Sequence, residues 1–223
     1  MQPQFRPCPR PRSSLAATAL LLALGLLAGG CAATGSGAQA ESAVPGGPWL
    51  VPSPLLAQQL EDEARRLPWT HGIEHLEQIR WFASVGEPAY PTLLELAADE
   101  REHVAAAALA ALGATHDRRL VEHLRAVPWP GSEEQPVSED LRLERARTLV
   151  RLGDWSEMPT LIAGLTSERL RTRALCDQAL YEATRQRFGY DPRAAETERE
   201  KAVRAWENWW LSRTGEGLLL TDG

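Results

Sequence analysis

Cysteine is scarce in this chain: Cys8, Cys31 and Cys176 are the three among 223 residues. Thiols so few and so far apart leave no disulfide framework. Cys176 alone falls in the region expected to fold, where it reads as a small buried core residue. No His stands near it in sequence to make it a nucleophile. Strand patterning is missing beyond Ser53, because no period-two alternation is sustained. Catalytic signatures are missing too: there is no Ser/His/Asp spacing, Gly-rich phosphate loop or complete metal-ligand set. The expectation is a non-catalytic protein without a cofactor. Positive charge is in deficit, with a formal net charge of −6. The first thirty residues hold three Arg and no acid, so removing them takes the charge from −6 to −9. Nucleic-acid affinity rests on Lys and Arg neutralising phosphates, so an acidic chain excludes nucleic acid as the expected partner. No apolar run is long either. The run from Leu15 to Leu27 falls short of the roughly 20 residues that a spanning helix needs.

That run does have a context. Arg6, Arg10 and Arg12 precede it and small residues follow it to Cys31, the layout of a secretory signal over residues 1–30. Leu27-Ala28-Gly29-Gly30-Cys31 resembles the lipobox of bacterial lipoproteins. Ala28 stands where that family usually has Leu. The resemblance implies diacylglycerol on the Cys31 thiol, cleavage just before it and acylation of the new amino terminus. More than one acyl chain is what stable anchoring takes. Ala32 follows the Cys in place of an acidic residue, which by the same resemblance implies the outer membrane, facing the periplasm. Ala38-Gln39-Ala40 offers a competing cut that would release a soluble protein starting at Glu41. Residues 31–52 are rich in Gly, Ser, Ala and Pro and read as a flexible tether.

The folded region announces itself by repetition. PTLLELAADEREHVAAAALAAL, residues 91–112, lies without a gap over PTLIAGLTSERLRTRALCDQAL, residues 159–180. Pro91, Thr92, Leu93, Glu100, Arg101, Ala106, Ala111 and Leu112 recur as Pro159, Thr160, Leu161, Glu168, Arg169, Ala174, Ala179 and Leu180. A fixed offset means stacked units that share a core. Apolar residues recur at helical spacing, which predicts an all-α domain over residues 53–213 and a tail over 214–223. The leading helix is expected at 53–66. Four pairs follow: 73–84 with 88–98, 102–112 with 117–127, 138–152 with 156–165, and 168–187 with 195–212. Gly86, Gly113 and Gly153 are expected as left-handed stops, and Asp117 and Ser138 as N-caps. The polar, helix-breaking insertion at 128–136 maps to a loop, which in repeat proteins is a common seat of function.

Ala-Leu-Ala-Ala-Leu-Gly-Ala at 108–114 and Arg-Thr-Leu-Val-Arg-Leu-Gly-Asp-Trp at 147–155, followed by Met158-Pro159-Thr160-Leu161-Ile162, resemble HEAT repeats. The likeness covers about residues 73–212, and the last unit lacks its Gly. The tail from Phe188 through Trp206, Trp209 and Trp210 is similar to the end of HEAT-like domains of secreted bacterial proteins. The resemblance implies an α-solenoid of about four helix pairs that binds another protein and lines its concave side with the second helices. The W-x2-L-G-x2-Y signature of tetratricopeptide repeats, the rival at this period, is absent.

Candidate sites are few. His71-Gly72-Ile73-Glu74-His75 fits H-x-x-E-H, which would set two His on one helix face for zinc with Glu74 as general base. The chain offers no clear third ligand, and Gly72 weakens the helix. A helix start with solvent-facing His accounts for the same residues. Arg118, Arg119, Glu122 and Arg125 lie on the polar face of a second helix and could grip a partner in a mixed-charge groove, although a solvated face needs no function. Trp129 in the insertion either tucks onto the core or meets a partner. Val203, Trp206, Trp209 and Trp210 form a helical stripe that reads as the seal of the last unit, with Trp209 partly exposed as a docking residue. A lyase or chaperone that handles another protein's cofactor would also suit a HEAT-like chain, but the single buried Cys gives that no support. The expectation is a protein-binding scaffold of the bacterial envelope, held to the membrane by lipid.

Overall fold

The computed structural model describes residues 49–130 and 137–215. Cys31, most of the predicted tether and the tail beyond 215 lie outside them, as does most of the insertion. Among the described residues every regular element is helical. Helix α1 is Pro54–Arg66, α2 Gly72–Val85, α3 Tyr90–Leu96, α4 Glu102–Ala114, α5 Leu120–Ala126, α6 Glu139–Arg151, α7 Met158–Gly164, α8 Leu170–Thr184 and α9 Glu196–Thr214.

Local chemistry sets the boundaries. Ser53 Oγ accepts from the Leu56 amide at 3.3 Å and Pro54 opens α1, while Arg65 and Arg66 face its carbonyl end. Ser138 Oγ caps α6 through the Leu141 amide at 3.2 Å, and Glu139 and Asp140 fill the first turn. Asp117 Oδ1 accepts from the Arg119 amide at 3.0 Å and tightens the turn into α5. Gly86 and Gly153 take the left-handed half of backbone space, at φ 70° and 95°. Gly113 is a correction: it lies inside α4, and the left-handed residue is His116 at φ 54°. A Cβ on Gly113 would stand 3.3 Å from Thr148 Oγ1 and 3.4 Å from Thr148 Cα, so this glycine serves close helix approach instead of a stop.

Helix α4 packs against α2, α3 and α6, α6 against α7 and α8, and α7 against α8 and α9. One apolar core runs from Trp49 to Leu152 through Phe82, Leu93, Leu112 and Leu124; a second runs from Ala146 to Trp206 through Met158, Leu161 and Leu180. The second helices of the first three pairs are shorter than expected, and single 3-10 turns at Glu87–Ala89 and Trp155–Glu157 occupy the first residues expected for α3 and α7. The start of the domain is a further correction. Trp49, placed in the tether, is buried with its ring 5.0 Å from that of Tyr90 and edge-on to it, and the Leu50 amide donates to Glu87 Oε1 at 3.2 Å.

Candidate binding surfaces

The predicted charged face ties together segments far apart in the chain. Arg119 donates to Asp117 of its own turn and to Glu87 of the turn before α3, at 2.7 and 3.1 Å through Nη2, and its guanidinium carbon lies 5.4 Å from the Trp49 ring centre. These two carboxylates hold its pKa above the ordinary value. Arg125 reaches forward, with Nε 2.9 Å from Asp154 Oδ2 and Nη2 2.9 Å from Ser156 Oγ. Glu122 and Arg118 are exposed, and the Arg118 side chain passes Gly153.

Trp129 packs back onto the domain with one face only. One face stacks on Arg145, whose guanidinium carbon is 4.3 Å from the ring centre, and 44% of the residue stays exposed. Arg145 is buried and its Nη2 donates to the carbonyls of Leu124, Arg125 and Val127 at 2.7, 3.2 and 3.0 Å. It thereby satisfies the open carbonyl end of α5. Among the described residues no carboxylate pairs with it. Trp206 is fully buried, edge-on to Phe188 at 4.8 Å, whereas Trp209 and Trp210 are half-buried. Trp209 sits among Trp155, Phe188, Trp206 and Trp210.

The H-x-x-E-H residues part ways. His71 is exposed at the N-cap of α2, Glu74 accepts from Arg66 Nη2 at 2.7 Å, and His75 Nδ1 is 3.1 Å from Thr70 Oγ1. Burial, with the charges of His103 and His71, lowers the His75 pKa. Among the described residues no three His, Cys, Asp or Glu side chains gather as a metal site. Cys176 is buried, and burial pushes its thiol up to about 12, so it stays protonated at neutral pH.

A concavity of about 570 Å3 went unforeseen. The ends of α4, α6 and α8 form it, with His116, Arg151, Gly153, Trp155, Glu182 and Arg185 along its wall. Arg151 Nη2 bonds Glu182 Oε2 at 2.6 Å, and His116 Nδ1 is 3.2 Å from the Arg151 carbonyl. The signal for it was the basic residue at the helix-end position where glycine is usual.

No known protein family matches the chain, and neither a curated protein nor a solved structure shows significant similarity to it. Among the described residues no helix is long and apolar enough to cross a membrane.

Proposed function

We propose that this protein is a lipid-tethered, HEAT-like α-solenoid serving as a non-catalytic scaffold for another protein of the bacterial cell envelope. The observation that carries the reading is the agreement between the two sequence copies. Leu93 and Leu161, Ala111 and Ala179, and Leu112 and Leu180 are buried in both; Glu100 and Arg101, like Glu168 and Arg169, are exposed in both. Residues at a fixed offset thus fill the same structural roles, as repeated units require. The serial packing of α2, α4, α6 and α8 supports the same architecture. Such stacks stabilise through nearest neighbours and leave long surfaces for partners. Tethering rests on the lipobox resemblance around Cys31, and the outer membrane on Ala32.

Crosslinking in intact cells, purification through a C-terminal tag and mass spectrometry test this. The expected result is an acylated Cys31 terminus and one envelope protein recovered in near-equal amount. A free Glu41 terminus would overturn the anchor, and repeated recovery of the protein alone would overturn the scaffold.

A further inference from the structure

We infer that the concavity at the ends of α4, α6 and α8 is the docking site for the partner, and that it takes an acidic peptide segment with an apolar side chain beside its carboxylates. This rests on the scaffold reading and names its site.

The backbone provides the first argument. Each of the three helices closes on a left-handed residue: His116 at φ 54°, Gly153 at φ 95° and Arg185 at φ 61°. Glycine takes this conformation freely, while residues with a Cβ resist it. The chain keeps glycine in the middle, where the wall of the concavity has no side chain, and sets strained basic residues on both flanks. Strained backbone of this kind concentrates at binding sites.

Charge provides the second. Arg118 passes Gly153, and the Arg213 guanidinium carbon lies 4.6 Å from the Trp155 ring centre. Neither these nor Arg185 has a carboxylate within 4.0 Å among the described residues, whereas Arg151 is taken up by Glu182. Arg185 lines the concavity, and Arg118 and Arg213 border it at Gly153 and Trp155, on a chain of net charge −6. Three helix ends would by themselves present carbonyls and repel an anion. Basic side chains set beyond those carbonyls reverse the sign. The half-buried Trp155 ring, with Val150 and Ala183 in the same wall, gives an apolar neighbour of the carboxylates a place to pack.

The test pans the purified full-length mature protein against a random dodecapeptide phage library, then measures the enriched peptides, fluorescently labelled, on wild type and on Arg185→Gly and His116→Gly. Enriched peptides should pair Asp or Glu with an apolar residue and bind more weakly as salt rises. Arg185→Gly should weaken binding about ten-fold, the loss of one charged hydrogen bond. Arg185→Gly should melt about 2–4 °C higher than wild type through release of backbone strain, whereas His116→Gly, which also loses the contact with the Arg151 carbonyl, should change little. A lower melting temperature of Arg185→Gly would make Arg185 a structural cap and overturn the inference, whatever the binding. Peptides that bind both variants as they bind wild type would place docking elsewhere and leave the scaffold standing. A library that yields no binder, together with no crosslinked partner, would remove both.

Discussion

Helix α4 buries Val104, Ala105 and Leu109 where helix α8, 68 residues on, buries Thr172, Arg173 and Asp177. The surroundings explain the exchange. Helix α4 lies against α2, α3 and α6 in a largely apolar core, and the buried polar side chain that meets it from α6, Thr148, is already taken up by the Leu109 carbonyl at 2.9 Å, so a charge on α4 would find no ionic partner there. Helix α8 packs on α6 and α7 but also meets the irregular segment at 185–195, whose backbone must be satisfied. Arg173 does this: Nε and Nη2 donate to the Pro192 carbonyl at 3.0 and 2.9 Å, and Nη1 donates to the Ser167 and Glu168 carbonyls at 2.8 Å each. Tyr190 adds a bond from its hydroxyl to the Leu165 carbonyl at 2.6 Å. Helix α4, covered by other helices, needs an apolar face; helix α8 needs donors for the loop that covers it.

Leu109→Asp should give the largest effect. It introduces at α4 the residue α8 carries at Asp177, but without the Arg187 that bonds Asp177 at 2.6 Å. The expected cost exceeds about 4 kcal/mol, enough to abolish cooperative melting followed by circular dichroism. Melting unchanged from wild type would break the comparison. Arg173→Ala makes the reverse exchange, giving α8 the residue of α4. It strands the Pro192, Ser167 and Glu168 carbonyls and should cost about 2–4 kcal/mol in urea unfolding. A neutral result would mean that water satisfies those carbonyls equally well.

Packing sharpens the comparison at smaller scale. The offset sets Gly164 at the place of Leu96 and Cys176 at that of Ala108, so bulk passes from the second helix to the first. A Cβ on Gly164 would collide with Cys176 Sγ and approach Leu143 Cδ2 at 3.1 Å. Gly164→Ala should destabilise by about 1–3 kcal/mol, and Cys176→Ala in the same chain should restore most of that, as a double-mutant cycle would show. Independent, additive losses would show that the two residues do not share the space.

Much of this was legible in the sequence because first helices carry their own signal. Ala and Leu at helical spacing made α4 plain, and Ser138 marked the start of α6. What failed shares one cause: a local signal with two possible tertiary meanings. Gly113 looks the same as a helix stop or as a close-approach residue, and only Thr148 of α6 decides. Trp49 sits in a Pro- and Gly-rich stretch that reads as tether until Tyr90 covers it. Arg145 stands out in no sequence pattern, yet it holds three carbonyls at the end of α5 from α6. The concavity stayed hidden because it assembles from three helix ends far apart in sequence, and its one signal, a basic residue at 116 and 185 where glycine is usual, shows only beside the backbone angles.

Asp177→Asn makes the smallest and most discriminating change, since it leaves the volume of α8 alone. Asp177 is 4% exposed, and its Oδ1 has no hydrogen-bond partner. Burial raises its pKa above the ordinary 3.8, against the opposing charge of Arg187. Between 3.8 and that raised value the folded chain binds more protons than the unfolded one. Stability contributed by this group therefore falls as pH rises through the window, and the penalty is absent below it. Asn cannot ionise and escapes the penalty. The stability of Asp177→Asn relative to wild type should consequently increase between about pH 4 and pH 7 in urea unfolding at each pH. A difference that stays constant would show that Arg187 fully offsets the burial of the charge. In that case the polar face of α8 would be as comfortable in its core as the apolar face of α4, which has nothing there to titrate.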